Sequence, residues 1–150
     1  MTRLKLHDEP LQEAWLDAYG HLNEAYYLVP FSNASWALQD HFGVGTAYFE
    51  KTGCAHYTLE THLRYLDEVR APAELSIESA VLGVDAKRLH VGHWMMVGGM
   101  ECATFECMLL HFDTREGGVA PFPEAVRERL AEGVLEPKPD WAGRAVKQLG

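Results

Sequence analysis

The residues best suited to chemistry lie in one short stretch, Asp17-Ala18-Tyr19-Gly20-His21-Leu22-Asn23. Asp17 precedes Gly20 by three residues, and Asn23, three residues further on, is a favourable helix N-cap. A carboxylate held beside the positive end of a helix can attack a carbonyl carbon or activate water for that attack. An aspartate at this spacing also commonly closes a turn, so a structural role for Asp17 stays open from spacing alone.

The backbone after Asp17 offers groups that could stabilise the charge created by such an attack. Gly20 allows a tight backbone path and close approach of a ligand. The first N–H groups of a helix lack partners within it, so those from Asn23 to Ala25 could form an oxyanion hole. Glu24 would contribute its backbone N–H and not its side chain. His21 could donate to a substrate, although a lone histidine in a loop is more often structural.

The composition is that of an ordinary single-domain protein. The 150 residues are 47% hydrophobic and 23% charged, which suffices for one core and is too short for two domains. No apolar run is long enough to cross a membrane, and the N-terminal residues lack signal-peptide features, so we expect a cytoplasmic protein without membrane contacts. The net charge of -9 argues against nucleic acid as a partner, and an anionic ligand would need a local cationic patch.

The pattern does not favour metal or cofactor chemistry. Cys54, Cys102 and Cys107 are odd in number and form no C-x-x-C pair, which argues against a disulfide framework or a thiolate zinc site. The eight histidines lack a ligand motif such as H-E-x-x-H. No glycine-rich phosphate loop, serine-centred elbow or Cys-His nucleophile signature occurs. We therefore expect neither a metal site nor a cofactor.

Hydrophobic periodicity predicts the elements that position Asp17. Residues 12–16 predict a short first strand after a lead-in over residues 1–11. Apolar residues at helical spacing predict a helix from Asn23 to Phe42, in which Pro30 indicates a kink or a later start. The remaining predicted elements are a short helix over 45–51, four long strands joined by hairpins over 55–66, 73–84, 88–97 and 100–113, and a small helix over 121–133.

This order predicts an α+β protein in which an antiparallel sheet buries its apolar face under one main helix. The domain is expected to span residues 1–135. The proline- and charge-rich residues 136–150 are expected to form a loosely ordered tail.

The element order and the acid-loop stretch resemble the hotdog-fold acyl-CoA thioesterases, specifically the 4-hydroxybenzoyl-CoA thioesterase-like branch. The signature of that branch is an acid, two residues, Gly-His, one residue and Asn; it is present as Asp17, Gly20, His21 and Asn23, followed by Tyr27-Leu28. The likeness covers roughly residues 10–130. It implies a sheet of about five strands wrapped around one long helix, with Asp17 as nucleophile or general base. It also implies coenzyme A (CoA) as part of the substrate, and a homodimer or dimer of dimers with the site at the dimer seam.

A narrower likeness points to the betainyl-CoA thioesterases of bacterial carnitine breakdown. It rests on five stretches: Tyr57 to His62, Glu68 to Arg70, Val81 to Gly83, Asp85 to His90 and Met108 to His111. An aromatic or medium-chain acyl-CoA stays open as the substrate. A module that binds an acyl thioester without hydrolysing it is the alternative from another functional class.

A betaine group would require a site for a quaternary ammonium, which aromatic faces and a nearby carboxylate can hold. Trp15 and Tyr19, which flank Asp17, are the expected aromatic residues, together with Tyr27. Glu60 is the candidate for complementing the positive charge.

Four cations are candidates for contacting the phosphates of CoA: Arg64, Arg70, Lys87 and Arg88. Lys87 and Arg88 lie at a predicted hairpin, where charges are commonly just solvated. The resemblance favours a CoA contact for at least one of the four.

Overall fold

The computed structural model describes residues 2–150. Its strands are β1 (Leu4–Pro10), β2 (Cys54–Tyr65), β3 (Glu74–Val84), β4 (Arg88–Val97), β5 (Met100–Asp113) and β6 (Gly118–Val119). Its helices are α1 (Leu28–His41), α2 (Thr46–Thr52) and α3 (Glu124–Glu132), and short 3-10 helices span Glu13–Trp15 and Glu24–Tyr27.

One antiparallel sheet carries the fold, with strand order β1-β3-β4-β5-β2 and the short β6 paired to β5. The two-residue turn at Gly98 and Gly99 joins β4 to β5, and both glycines have positive φ, as a tight hairpin turn requires. The α+β class and the four long strands predicted from periodicity are confirmed. The sequence pattern missed β6, which at two residues is too short to show alternation.

The long helix α1 packs its apolar stripe onto the sheet. Phe31, Ala34 and Leu38 recur at spacings of three and four residues and are at most 1% exposed. Pro30 lies in the first turn of α1, where its missing N–H has no helical partner to lose. The proline therefore marks a later start of the α-helix, one of the two outcomes predicted, and Gly43 follows the helix with a φ of 73°.

The prediction for the N-terminal region is wrong. Leu4–Pro10, predicted as a lead-in, forms β1 and pairs antiparallel with β3, with Leu4 and Leu6 packed against the core. Residues 12–16, predicted as the first strand, instead contain the 3-10 turn Glu13–Trp15, which Trp15 N–H closes on the Gln12 carbonyl at 3.0 Å. Residues 12–14 are exposed, so no buried face holds them in a sheet.

Strand β2 lies at the edge of the sheet and carries a register shift between Thr58 and Glu60. The shift breaks the simple alternation predicted for this strand, because an extra residue reverses which side chains face the helix. Tyr57, Leu59 and Tyr65 remain 45%, 56% and 50% exposed. An apolar strand edge is therefore left uncovered within one chain.

The outer face of the sheet, away from α1, is contacted by the chain after α3. Trp141 packs edge-to-face on Trp94, with ring centroids 5.3 Å apart. Gly143 N–H donates to both carboxylate oxygens of Glu106, at 2.9 and 3.1 Å. The segment around these residues is attached to the sheet, whereas Val146 and Leu149 are 85% and 99% exposed. The division of the chain at residue 135 stays a prediction.

Candidate active site

Asp17 lies in a tight turn that its own side chain helps to close. Its Oδ1 accepts hydrogen bonds from the N–H groups of Tyr19, at 2.9 Å, and His21, at 3.3 Å. The Asp17 carbonyl accepts from Gly20 N–H at 3.0 Å, and Gly20 has a φ of 80°, a conformation that favours glycine. Among residues 2–150, Oδ2 of Asp17 has no hydrogen-bond partner and is free to act on a ligand.

A groove of about 540 Å³ opens beside this turn, between the helix start and the end of β2. Tyr27 and Tyr65 line it, with ring centroids 4.9 Å apart in an edge-to-face arrangement. Burial, reinforced by the neighbouring Cys102, raises the pKa of Tyr27 to about 12. Burial also raises the pKa of Tyr65, whose hydroxyl donates to the Glu24 carbonyl at 3.0 Å. Both phenols are therefore neutral near Asp17, and Tyr65, which is 50% exposed, presents most of the aromatic surface, since Tyr27 is 3% exposed.

The groove is acidic. Four carboxylates line it: Asp17, Glu24, Asp67 and Glu68. His21 Nε2 lies 2.7 Å from Glu68 Oε2, in an ion-pair contact whose angles fall outside hydrogen-bond geometry. The Arg70 guanidinium lies 3.6 Å from the other oxygen of Glu68, an exposed pair that neutralises little of the groove. A cation entering the groove would meet an excess of negative charge.

Most N–H groups at the helix start already have partners. Asn23 N–H donates to the Trp15 carbonyl at 2.9 Å, and Ala25 N–H donates to the Asn23 side chain at 3.0 Å. Asn23 is thus the predicted N-cap, and this capping removes Ala25 from the predicted oxyanion hole. Within residues 2–150, Glu24 N–H has no partner, so it is the donor left free at this helix start.

The other predicted acyl-binding residues lie away from the groove within one chain. Trp15 stacks on Tyr26, with centroids 6.4 Å apart, and Tyr19 is 81% exposed on the turn. Glu60 lies on the outer face of the sheet, beside a cavity that Glu106 also lines. The neighbour of Glu60 on the adjacent strand β5 is Met108, which lines the same cavity. Of the predicted acyl-binding residues, only Tyr27 lines the groove together with Asp17.

The four predicted CoA-binding cations do not share one site. Arg88 pairs with Asp85 at 2.6 Å, and hydrogen bonds from Arg88 and from Lys87 N–H lower the Asp85 pKa to about 2. The Arg88 side chain is therefore paired at its own turn, whereas Lys87 contributes only its backbone N–H to that turn. Arg70 contacts Glu68 near the groove, and Arg64 lies on the outer face of the sheet.

Comparison with known proteins matches residues 12–130 to the thioesterase-like superfamily. The chain belongs to this family. Asp17 and the groove it lines fall within the matched residues, so the candidate site lies in the family domain.

Two curated relatives share the thioesterase-like domain. The chain is 35% identical to the betainyl-CoA thioesterase of Pseudomonas aeruginosa, over 95% of this chain and 94% of that protein. It is 38% identical, over 97% of its own length, to the L-carnitine dehydrogenase/betainyl-CoA thioesterase of Agrobacterium fabrum. The chain spans only 31% of that longer relative.

Two solved structures share the fold over nearly the whole thioesterase-like chain. A candidate thioesterase of Pseudomonas putida KT2440 is 34% identical, with a TM-score of 0.82, and the match covers 100% of this chain and 99% of that one. A hypothetical protein of Staphylococcus aureus, in complex with CoA, has a TM-score of 0.85 at 20% identity, covering 99% and 98%. The predicted family and hotdog fold are confirmed.

Several groove residues of this thioesterase-like chain were not predicted as site residues: Tyr65, Leu66, Asp67 and Glu68. They follow the long strand β2 directly, and the sequence shows where the strand ends. What brings them beside Asp17 is a bridge between His21 and Arg70, together with the bond from Leu22 N–H to the Val69 carbonyl at 2.8 Å. These are contacts between residues far apart in sequence, which periodicity does not report.

Residues 2–150 contain no cluster of three or more His, Cys, Asp or Glu side chains that could hold a metal ion. No helix among them is long and apolar enough to cross a membrane.

Proposed function

We propose that the protein is an acyl-CoA thioesterase that hydrolyses a small cationic acyl-CoA, with betainyl-CoA as the expected substrate. The observation that carries this proposal is the groove around Asp17, which combines four carboxylates with two tyrosines, the half-exposed Tyr65 and the buried Tyr27 behind it. Aromatic faces and nearby carboxylates are the groups that bind a quaternary ammonium. The names of the relatives, betainyl-CoA thioesterases, agree with that chemistry.

Asp17 supplies the reacting carboxylate. Its Oδ1 is held by two N–H groups, which fixes the side chain, while Oδ2 is left to act as nucleophile on the thioester carbonyl or as general base toward water. Glu24 N–H, at the positive end of the helix, is the donor for the developing oxyanion, positioned by Gly20, His21 and Asn23. Water supplies the new C–O bond, either by adding directly to the carbonyl carbon or by cleaving the anhydride formed when Oδ2 attacks that carbon. The C–S bond breaks, the CoA thiolate takes up a proton released by the water, and the carboxylic acid leaves with the Asp17 carboxylate restored.

The alternatives make different demands on the groove. An aromatic or medium-chain acyl group would be served by a neutral apolar pocket, whereas this groove is lined by several acids. A module that only binds thioesters would need no free carboxylate oxygen at Asp17. The acyl-binding roles of Trp15, Tyr19 and Glu60 would require a wall supplied by a second subunit.

We also propose that the protein works as a homodimer or a dimer of dimers. The exposed apolar residues of β2 and the unpaired edge of that strand support pairing with a second copy. A cytoplasmic location is proposed as well, and the three free cysteines are compatible with a reducing compartment.

The test measures CoA release from betainyl-, benzoyl- and medium-chain acyl-CoA by the wild type and by Asp17→Asn. Asparagine keeps an Oδ1 acceptor for the two N–H groups, so the turn should survive while the reactive oxygen is replaced. We expect fastest turnover of betainyl-CoA and a fall in kcat of about 10²- to 10⁴-fold in the variant.

The control is Asp8→Asn, the same substitution at an exposed residue of β1 outside the groove. It should leave kcat unchanged. Absence of turnover with all three thioesters would refute the thioesterase proposal, and undiminished turnover in Asp17→Asn would refute the role of Asp17. Faster turnover of benzoyl- or medium-chain acyl-CoA would move the substrate to that class.

A further inference from the structure

A CoA thioester presents this protein with an electrostatic problem. The nucleotide end of CoA carries a diphosphate and a 3′-phosphate, whereas the chain has a net charge of -9. The groove around Asp17 is itself acidic and would repel phosphates. If the proposed function holds, the phosphates must lie elsewhere, at a locally cationic surface.

One groove on the outer face of the sheet has that character. It encloses about 470 Å³ and is lined by Arg64 on β2 and by Arg144 and Lys147 of the C-terminal segment, with Trp141 beside them. Asp140 is the one carboxylate among its lining residues, so three cations face a single acid. This local excess of positive charge is opposite to the charge of the whole chain.

The cations of this groove are also free of intramolecular partners. Among residues 2–150, Arg64, Arg144 and Lys147 take part in none of the ion pairs, whereas Arg70 and Arg88 each contact a carboxylate. Unpaired guanidinium groups retain their full set of donors for phosphate oxygens, which they can bind in a bidentate manner.

The C-terminal side of the groove is attached to the sheet. Trp141 packs on Trp94 of β4, and Gly143 N–H is held by both oxygens of Glu106 on β5. Glu106 is itself only 8% exposed, so the anchor is buried. Arg144 follows directly after this anchored residue and is thereby placed across from Arg64.

The groove also lies near the route to Asp17. Arg64 is the neighbour of Tyr65, which lines the Asp17 groove, and consecutive strand residues face opposite sides of a sheet. Since β2 ends at Tyr65, the two faces meet where the chain leaves the sheet. Both grooves therefore adjoin the same end of β2.

We propose that the groove formed by Arg64, Arg144 and Lys147 binds the phosphates of the nucleotide end of CoA. The C-terminal segment is then one wall of the substrate site, and Trp141 supplies an apolar flank for the adenosine. This inference rests on the proposed function for the identity of its ligand.

The first experiment measures binding without turnover. Calorimetry with adenosine 3′,5′-bisphosphate, a fragment of CoA, compares the wild type with Arg144→Ala/Lys147→Ala. We expect the Kd to rise at least tenfold in the double variant and the wild-type affinity to weaken with added salt. Lys138→Ala is the matched control, since Lys138 lies in the same segment but beside Gly83 and outside the groove.

The second experiment separates the nucleotide end from the acyl end. With betainyl-CoA the double variant should show a KM raised at least tenfold. The betaine thioester of N-acetylcysteamine lacks the nucleotide, so wild type and double variant should hydrolyse it at equal rates. Failure of the wild type to bind the bisphosphate, or unchanged binding in the double variant, overturns the inference. If the bisphosphate binds as expected and no thioester is hydrolysed, the proposed function falls and the phosphate site stands.

Discussion

The two oxygens of Asp17 have different environments. Oδ1 accepts from Tyr19 and His21 N–H and closes the turn, whereas Oδ2 has no partner within residues 2–150. The capping role and the catalytic role, which compete when only the spacing is known, are therefore compatible in one side chain. A carboxylate fixed through one oxygen loses little conformational freedom when the other reacts.

Two histidines, the fully buried His93 and the partly buried His56, have pKa values well below the ordinary range. His93 is hydrogen-bonded through Nε2 to the Ser35 hydroxyl at 2.8 Å and through Nδ1 to the Ser79 hydroxyl at 2.7 Å. Burial lowers the pKa of His93 to about 3. His56 has neither ring nitrogen hydrogen-bonded among the described residues, and burial followed by the nearby His111 lowers its pKa to about 4. Both rings are neutral in the folded protein at physiological pH.

These shifts predict that stability falls as the pH drops below about 6.5. The unfolded chain protonates its histidines near that pH, whereas the folded chain resists protonation of His56 down to about 4, so protons favour unfolding. Between the two pKa values, each such histidine lowers the free energy of unfolding by about 1.4 kcal/mol for every unit by which the pH falls. His56→Phe removes one titrating group, so its free energy of unfolding should gain about 2 kcal/mol relative to wild type between pH 7 and pH 5.

Urea unfolding at the two pH values measures this difference. His93→Phe is the contrasting variant, because it also removes a titrating group but leaves the hydroxyls of Ser35 and Ser79 unpaired, and it should be less stable than wild type at pH 7. A His56→Phe variant whose stability falls in parallel with that of the wild type would contradict the assignment.

At the scale of the element, the start of the central helix serves both stability and the site. Asn23 caps the 3-10 turn Glu24–Tyr27, which continues directly into α1. Without that cap the turn would lose the bond to Ala25 N–H, and the orientation of Glu24 N–H would loosen with it.

Asn23→Ala should therefore lower the free energy of unfolding by about 1 kcal/mol, the usual value of a lost N-cap. It should also lower kcat for betainyl-CoA, since the proposed oxyanion donor is no longer held. Asn23→Ser, which retains a capping oxygen, should restore most of both quantities. Equal behaviour of the alanine and serine variants in urea unfolding would argue against capping by this side chain.

At the scale of the whole molecule, the exposed edge of β2 is the surface through which we propose that two copies associate. Leu59 sits at the register shift and is 56% exposed beside other apolar residues. Leu59→Lys should place charges in the proposed dimer contact and shift the protein toward monomer. Analytical ultracentrifugation measures that shift, and CoA release should fall with it if the pocket is completed by a second subunit.

Leu149→Lys is the control, because Leu149 is 99% exposed near the end of the chain. It should leave the mass in solution unchanged. A wild type that sediments as a monomer at micromolar concentration would refute the proposed dimer, and a Leu59→Lys variant that stays dimeric would place the contact elsewhere.

Local features of the sequence determined much of this protein. Local patterns predict the element types, because backbone geometry decides which side chains share a face. These patterns are the period of two in β3, β4 and β5, the helical spacing of Phe31, Ala34 and Leu38, and the glycines that end elements. The order of elements with the acid, Gly-His and Asn signature identified the family. Asn23 as N-cap and Gly20 as a turn residue also follow from local chemistry.

Only the tertiary structure decided which distant residues meet. Three features depend on packing between segments far apart in sequence. They are the register shift in β2, the pairing of Leu4–Pro10 with β3, and the position of Asp67 and Glu68 in the Asp17 groove. The same holds for the charges: within residues 2–150, Arg70 and Arg88 each lie in an ion pair, whereas Arg144 lies in none and borders one groove with Arg64. The sequence gives the number of charged residues but not the distances between them. The effect of each charge depends on which opposite charges the fold places nearby.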